Sequence, residues 1–348
     1  MPLQQHQPIN LPSSSELALE RLRSTRILVV GLGNIGSQLV TSLAPLVKFI
    51  RLVDRDVVEP HNALNQSYRP DQSGQMKVDA TADRLQLIAP DLVVERRAMD
   101  LRDLPGGDLA DIQIVLSGLD SLLARRDLAE RVSVLHLPYI DGAVGDYQAR
   151  VQVLLPGCAC LECSWGGEQY RQIATEYPCH PDRTESTRPT VALSCTGAAA
   201  ASLMVAQCIV LMGESPPEQS YEINGDLLTG RFISSRRRRN PACRFAHEGP
   251  PRVVQIATQF DQATVADLIS AAGNAFASDA LQYEFRRGVL PSELFASERF
   301  ASTDYLHRVA DRRLSALGLT VRDRVVIRHR DQPGLAHVCF ESPTRSER

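Results

Sequence analysis

The chain has little that would make it repetitive, fibrous or membrane-spanning. No internal repeat and no long low-complexity tract is found among its 348 residues, which excludes a solenoid array and an extended disordered tract. No signal-peptide-like apolar region and no apolar run long enough for a confident bilayer span is read, so a cytoplasmic protein with reduced thiols and no membrane partner is expected. A formal net charge of −3 leaves no nucleic-acid footprint, so no nucleic-acid partner is expected. With 43% hydrophobic residues over this length, a two-domain globular protein is the natural class.

What is present begins with Ile27-Leu28-Val29-Val30, an apolar strand running into Gly31-Leu32-Gly33-Asn34-Ile35-Gly36 and a helical pattern from Ser37 to Leu46. Phe49 to Val53 reads as the next strand and ends at Asp54. A strand, G-x-G-x-x-G, a helix and an acid about 20 residues on form a nucleotide-binding βαβ unit. One glycine makes the tight turn, one lets backbone N–H groups approach a phosphate, and one packs helix on strand. The helix N-terminus adds partial positive charge where phosphates would lie. Asp54 has the chemistry to accept hydrogen bonds from ribose hydroxyls. This unit alone is shared with NAD-dependent dehydrogenases.

The continuation separates the two. Asp54-Arg55-Asp56-Val57-Val58-Glu59-Pro60-His61-Asn62-Ala63-Leu64-Asn65-Gln66 is followed by Gly74-Gln75-Met76-Lys77, and a later strand from Ile114 ends in Asp120-Ser121-Leu122-Leu123-Ala124-Arg125. On these residues the chain, over about 25 to 247, resembles the ubiquitin-activating enzyme superfamily, including the ThiF and MoeB proteins. That superfamily carries D-x-D-x-V-x-x-S-N-L-x-R-Q, then G-x-x-K, then D-N-x-x-x-R. The resemblance implies a Rossmann-like, mostly parallel α/β sheet and ATP-dependent adenylation of the C-terminal glycine of a ubiquitin-like protein. It implies ATP on Gly31, Gly33, Asn34, Gly36, Asp54, Asp56, Asn62, Asn65, Gln66, Lys77 and Asp120. Asp120 would hold Mg²⁺, Lys77 would offset charge growing on the phosphates, and Arg125 would support the site. Two departures stand out. Asn65 occupies the place of a usual arginine, which an amide does not replace on phosphate. No R-Y-x-R-Q element precedes the first strand. Arg69, or one of Arg21, Arg23 and Arg26, is the expected substitute.

The chain has eight cysteines. Cys160 and Cys163 form a C-x-x-C pair after a strand and a Pro156-Gly157 turn, and Cys243 and His247 follow Asn240-Pro241. Many ThiF and MoeB relatives hold a structural Zn²⁺ at these places with two C-x-x-C pairs. The resemblance therefore implies a Cys160, Cys163, Cys243, His247 site, with Cys158 as an alternative ligand to His247. Between the half-sites, the segment 166–190 is polar and broken by Gly and Pro, a surface loop that relatives run across the adenylation site. It carries Tyr177-Pro178-Cys179-His180, and an exposed cysteine beside a histidine fits a thiolate nucleophile. Cys195, opening the helix that runs to Met212, is the rival. Cys208 and Cys339 read as core.

The helix to Met212 is apolar almost all round and reads as buried. Tyr221 to Ser235 reads as a hairpin, and Arg236 to Arg239 as a solvated charge run with a possible role toward an acidic partner patch. Residues 1–24 form an N-terminal extension and 25–248 the adenylation domain. Residues 249–348 form a small α+β domain compatible with a β-grasp and suited to partner recognition, with helices at Thr264–Phe276 and Asp304–Leu317. A homodimer is expected, acting on a ubiquitin-like or sulfur-carrier protein, with a conjugating enzyme as a further partner. Thioester transfer to Cys179 in a conjugation pathway is the leading expectation. A sulfur-carrier adenylyltransferase of the thiamine or molybdopterin type, and a small-molecule or tRNA-modifying member of the superfamily, are the alternatives, followed by a NAD-dependent dehydrogenase supported only by the glycine loop.

Overall fold

The computed structural model describes residues 13–176, 192–243, 247, 252–286, 289, 300–329 and 335–340. Five parallel strands begin the main sheet: β1 (Arg26–Val30), β2 (Phe49–Val53), β3 (Val93–Arg97), β4 (Ile114–Ser117) and β5 (Tyr139–Val144). Three antiparallel strands extend it: β6 (Gln148–Leu154), β7 (Tyr221–Asp226) and β8 (Arg231–Arg236). The order is β3-β2-β1-β4-β5-β6-β7-β8, so the expected α/β sheet is present. The chain winds outward from β1 to β3 and then returns to place β4 on the other side of β1. That reversal opens a crevice at the carboxyl ends of β1 and β4, where ligands bind in open α/β sheets.

Helices cover both faces: α1 (Ser13–Ser24), α2 (Asn34–Leu43), α3 (Lys77–Ile88), the short α4 (Gly107–Ala110), α5 (Leu122–Val134), α6 (Gly167–Glu176) and α7 (Ser194–Met212). Leu39 and Leu43 of α2 and Met204 and Cys208 of α7 pack with Ile27, Val29 and Ile140 on one face. Leu128 and Val132 of α5 pack with Leu28, Val30 and Val115 on the other. Burial on two faces is why these strands read as unbroken apolar runs. Arg51 interrupts the run in β2 and is fully buried. Its guanidinium reaches Glu95 and Asp111 and donates to the Asp108 carbonyl, which compensates the loss of water.

Three sequence expectations change here. The N-terminal extension contains α1, which buries Ala18 and Leu22 against the sheet domain, and Arg21 donates to the Met212 and Gly213 carbonyls at the end of α7. The segment read as a loop from 166 begins with α6, whose Tyr170 hydroxyl donates to Glu162. By length and composition α7 does meet the requirement for crossing a membrane, with 19 residues. Its contacts with α1, α2, β5 and β6 are those of a core helix.

The second sheet is built from β9 (Arg252–Gln255), β10 (Leu281–Glu284), β11 (Phe300–Ser302), β12 (Arg324–His329) and β13 (Leu335–Cys339), in the order β11-β10-β12-β13-β9. Its helices are α8 (Val265–Phe276), capped by Thr264 and Asp267, and α9 (Thr303–His307). Leu268, Tyr283, Val325 and Val338 form its separate core. A β-grasp sets its first strand between a hairpin partner and the last strand. Here β9 pairs in parallel with β13 at the sheet edge, so the topology differs. The long helix expected to Leu317 stops at His307, because residues 312–314 return to bond the start of α8. This unit meets the helices of the main domain, α4 through an Arg322–Asp108 ion pair of 2.7 Å and α5 through His337, whose Nε2 lies 3.3 Å from the Val134 carbonyl.

Candidate active site

The crevice at β1 and β4 is lined first by the glycine loop. Gly31 has φ +83°, a left-handed conformation that a side chain would strain. Gly36 packs so closely that a Cβ would overlap the Gly31 carbonyl oxygen, and Gly118 from the end of β4 in turn packs on the Gly36 amide. Three backbones therefore meet without side chains. Gly33 is the N-cap of α2 and no side chain caps it. The first-turn N–H groups and the positive helix end are left for an anion.

The loop is fixed from beneath. Asp54 Oδ2 accepts from Leu32 N at 2.6 Å, its Oδ1 accepts from Asp56 N at 2.8 Å, and Tyr68 OH donates to the Leu32 carbonyl at 2.8 Å. Burial raises the Asp54 carboxyl above its usual pKa, while these backbone bonds and the nearby Lys77 charge pull it back. Sequence reading gave Asp54 to ribose hydroxyls. The structure turns it inward, because a carboxylate this buried requires donors at both oxygens. The next acid, Asp56, is the exposed one.

Asp56 is paired with Lys77. The segment after β2 runs antiparallel to the residues before α3, with Lys77 N bonding the Asp56 carbonyl at 2.9 Å and Val57 bridging Met76. That zipper sets Lys77 Nζ 3.2 Å from Asp56 Oδ2. In the intervening loop, Asn62 is buried and its Oδ1 caps the Glu59 amide, so it shapes the turn. Asn65 donates to the Ala192 carbonyl, and the side-chain oxygens of Asn65 and Gln66 are buried without a hydrogen-bond partner. The expected substitute arginines are engaged elsewhere: Arg69 forks onto Asp71, Arg21 caps α7, and Arg26 pairs with Asp111 and lies 3.4 Å over the Phe49 ring. Arg23 is exposed on α1.

Beyond β4, Asp120 is exposed at the sheet's carboxyl edge. A hard carboxylate oxygen here suits Mg²⁺. Arg125 does not reach outward. Its Nε donates to the Leu119 carbonyl at 2.9 Å and its Nη1 pairs with Asp141 at 2.8 Å.

The cysteine cluster forms a separate centre. The ligand atoms of Cys160, Cys163, Cys243 and His247 all lie within 4.8 Å of one another. Cys160 Sγ is 3.7 Å from both Cys163 Sγ and Cys243 Sγ. Tetrahedral Zn²⁺ with Zn–S bonds of about 2.3 Å spaces its sulfurs about 3.8 Å apart, so the donor set fits zinc. His247 Nε2 is 3.2 Å from Cys163 Sγ, and burial followed by Arg239 lowers the imidazole pKa, favouring the neutral form that ligates metals. Cys158 is not in the cluster; its Sγ donates to the Glu218 carbonyl. Arg237, read as part of a solvated charge run, is buried and reaches the Cys160 and Leu161 carbonyls, Ser164 Oγ and Glu222. It ties the knuckle to β7.

Residues 6–245 match the ThiF family. The chain belongs to the ThiF family. Among proteins of known function, this ThiF-family chain is 33% identical over 151 residues to the NEDD8-activating enzyme E1 catalytic subunit of Saccharomyces cerevisiae, covering 40% of this chain and 50% of that protein. It is 26% identical over 253 residues to ubiquitin-like modifier-activating enzyme 5 of Arabidopsis thaliana, covering 64% and 56%. The chain thus spans about half the length of the curated relatives it matches. Its fold is similar to E. coli MccB solved with ATP, with TM-score 0.52, 20% identity and coverage of 66% of this chain and 69% of the other. It is similar too to the microcin C7 biosynthetic enzyme MccB in complex with N-formylated MccA, with TM-score 0.55, 20% identity and coverage of 66% and 69%.

In this ThiF-family site, Gly31, Gly33, Asn34, Gly36, Asp56, Lys77 and Asp120 come to the carboxyl edges of adjacent strands or to the helix behind them. Asn34 also donates to the Ala192 and Leu193 carbonyls, joining α2 to the start of α7. Cys195 is exposed in the first turn of α7. Cys179 lies outside the described residues. Sequence reading missed Asp141, Tyr139 and Ser117. An aspartate inside the strand Tyr139-Ile140-Asp141 was the available signal, since a charge in an apolar strand needs a partner.

Proposed function

We propose that the chain adenylates the C-terminal carboxyl group of a small protein ending in glycine, of the ubiquitin-like or sulfur-carrier kind. The supporting observation is the union at one sheet edge of an uncapped helix N-terminus, a largely buried lysine and an exposed aspartate. In the proposed reaction a carboxylate oxygen attacks the α-phosphorus of ATP. The new O–P bond forms as the bond to the β-phosphate oxygen breaks, giving an acyl-adenylate and pyrophosphate. The first-turn amides of α2 and Lys77 hold the phosphates, and Asp120 supplies the carboxylate for Mg²⁺, which would stabilise charge on the leaving phosphates when bound.

The relatives named as activating enzymes for NEDD8 and ubiquitin-like modifiers favour a protein substrate. In the thioester branch, a cysteine thiolate then attacks the acyl carbonyl and AMP leaves; Cys179 is the proposed acceptor. The dehydrogenase reading has lost support, because residues 6–245 match the ThiF family. ATP–pyrophosphate exchange decides the reading. Exchange that appears only when a glycine-tailed carrier is added supports it, and exchange with free amino acids but no carrier overturns it.

A further inference from the structure

We propose that Asp141 is a positioning residue for the metal carboxylate Asp120, acting through Arg125. This rests on the reading of Asp120 as the Mg²⁺ carboxylate. Asp141 lies in β5, beside β4, and is fully buried. Its Oδ2 takes the Arg125 guanidinium at 2.8 Å, and its Oδ1 accepts from Ser117 Oγ at 2.5 Å and from Tyr139 OH at 3.1 Å. Burial, followed by the Asp141 charge, raises the Tyr139 phenol well above its ordinary pKa, so Tyr139 remains a donor to the carboxylate. Ser117 is the last residue of β4, three residues before Asp120.

The geometry leaves Arg125 only one further task. Its Nε and Nη2 both donate to the Leu119 carbonyl, the residue immediately before Asp120. Asp141 thus holds the strand that enters the 118–120 loop through Ser117, and the loop's last peptide through Arg125. A bond where the three-residue segment is entered and a forked pair at its last peptide together fix its backbone. A metal ligand needs this fixity, since a carboxylate free to swing loses order on every binding event. Arg125 alone does not suffice: without Asp141 its buried charge has no carboxylate partner and the fork would turn toward water.

The test measures Mn²⁺ affinity by titration calorimetry with a non-hydrolysable ATP analogue at saturation, and analogue affinity in EDTA beside it. Asp141→Asn should weaken Mn²⁺ about ten- to a hundred-fold while leaving analogue affinity in EDTA unchanged. Losing one partner of a buried pair also threatens folding, so the double variant Arg125→Met/Asp141→Leu is measured in parallel. It replaces the pair with apolar groups of similar volume, which buried sites tolerate. Its melting temperature should approach wild type while Mn²⁺ stays weak. Wild-type Mn²⁺ affinity in the folded double variant would overturn the positioning role, as would equal loss of Mn²⁺ and analogue affinity in either variant. If wild type binds analogue but no metal, and Asp120→Ala changes nothing, the reading of Asp120 itself fails.

Discussion

Lys77 and Asp56 form an ion pair of 3.2 Å in which the lysine side chain is 8% exposed and the aspartate 53%. The pair is asymmetric. One face of Asp56 holds the ammonium, and the rest remains open at the crevice. A phosphate entering beside α2 would meet an ammonium already desolvated and oriented, which raises its electrostatic effect.

The first prediction follows from this pair. Lys77→Ala should lower ATP–pyrophosphate exchange by about 10²–10³-fold, and Asp120→Ala should lower it at least as far. Full exchange in either variant would remove that residue from the mechanism.

The glycine loop gives a second. Gly36→Ala forces a methyl into the Gly31 carbonyl, so α2 must shift from the crevice. Nucleotide-analogue affinity should fall about ten-fold or more by calorimetry, whereas Gly74→Ser, where a Cβ meets nothing, should leave affinity unchanged and cost only backbone strain.

The cysteine cluster gives a third. Freshly purified protein should contain close to one zinc per chain by metal analysis, as Cys160, Cys163, Cys243 and His247 supply one tetrahedral site. Cys163→Ser should lose the metal and lower the melting temperature. Arg237→Ala should weaken zinc retention under chelator challenge, because the Cys160 carbonyl loses its donor. Protein without zinc would refute the site.

The covalent step is decided on a non-reducing gel with carrier and ATP. Cys179→Ala should form acyl-adenylate but no reducible adduct. Cys195 is exposed yet held in the first turn of α7, so Cys195→Ala should keep the band. Loss of the band in Cys195→Ala alone would move the acceptor there.

The last prediction concerns pH. His337 is buried between the second sheet and the end of α5, and burial, followed by the Arg324 charge, pushes its pKa down to about 3 from 6.5. Its folded pKa lies below its unfolded one, so the unfolded chain binds the extra proton. The contribution to stability is complete above about pH 6.5 and is lost as pH falls toward 3, by about 1.4 kcal/mol per unit. His337→Phe should flatten this slope between pH 6.5 and 4.5 in urea unfolding. An unchanged slope would show that His337 does not set it.

Local sequence determined the elements whose physics is local. The strands at β1, β2 and β4 followed from short apolar runs. The glycine loop followed from residues that must allow close backbone approach, and the cysteine knuckle was what the resemblance to the ThiF and MoeB proteins implied. The amphipathic pattern over Thr264–Phe276 became α8, and Thr264 and Asp267 close its start as a capping box. Only the tertiary structure decided which charges face inward. Asp54 and Asp56 are two residues apart with the same carboxyl chemistry, yet one holds the loop and the other faces the crevice, because the turn after β2 buries one and exposes the other. Arg237 sits in a run of four arginines, and only its position beside the knuckle makes it structural. Asp141 and Arg125 meet because β4 and β5 pair in parallel, a relation set by long-range register that no local pattern of residues records.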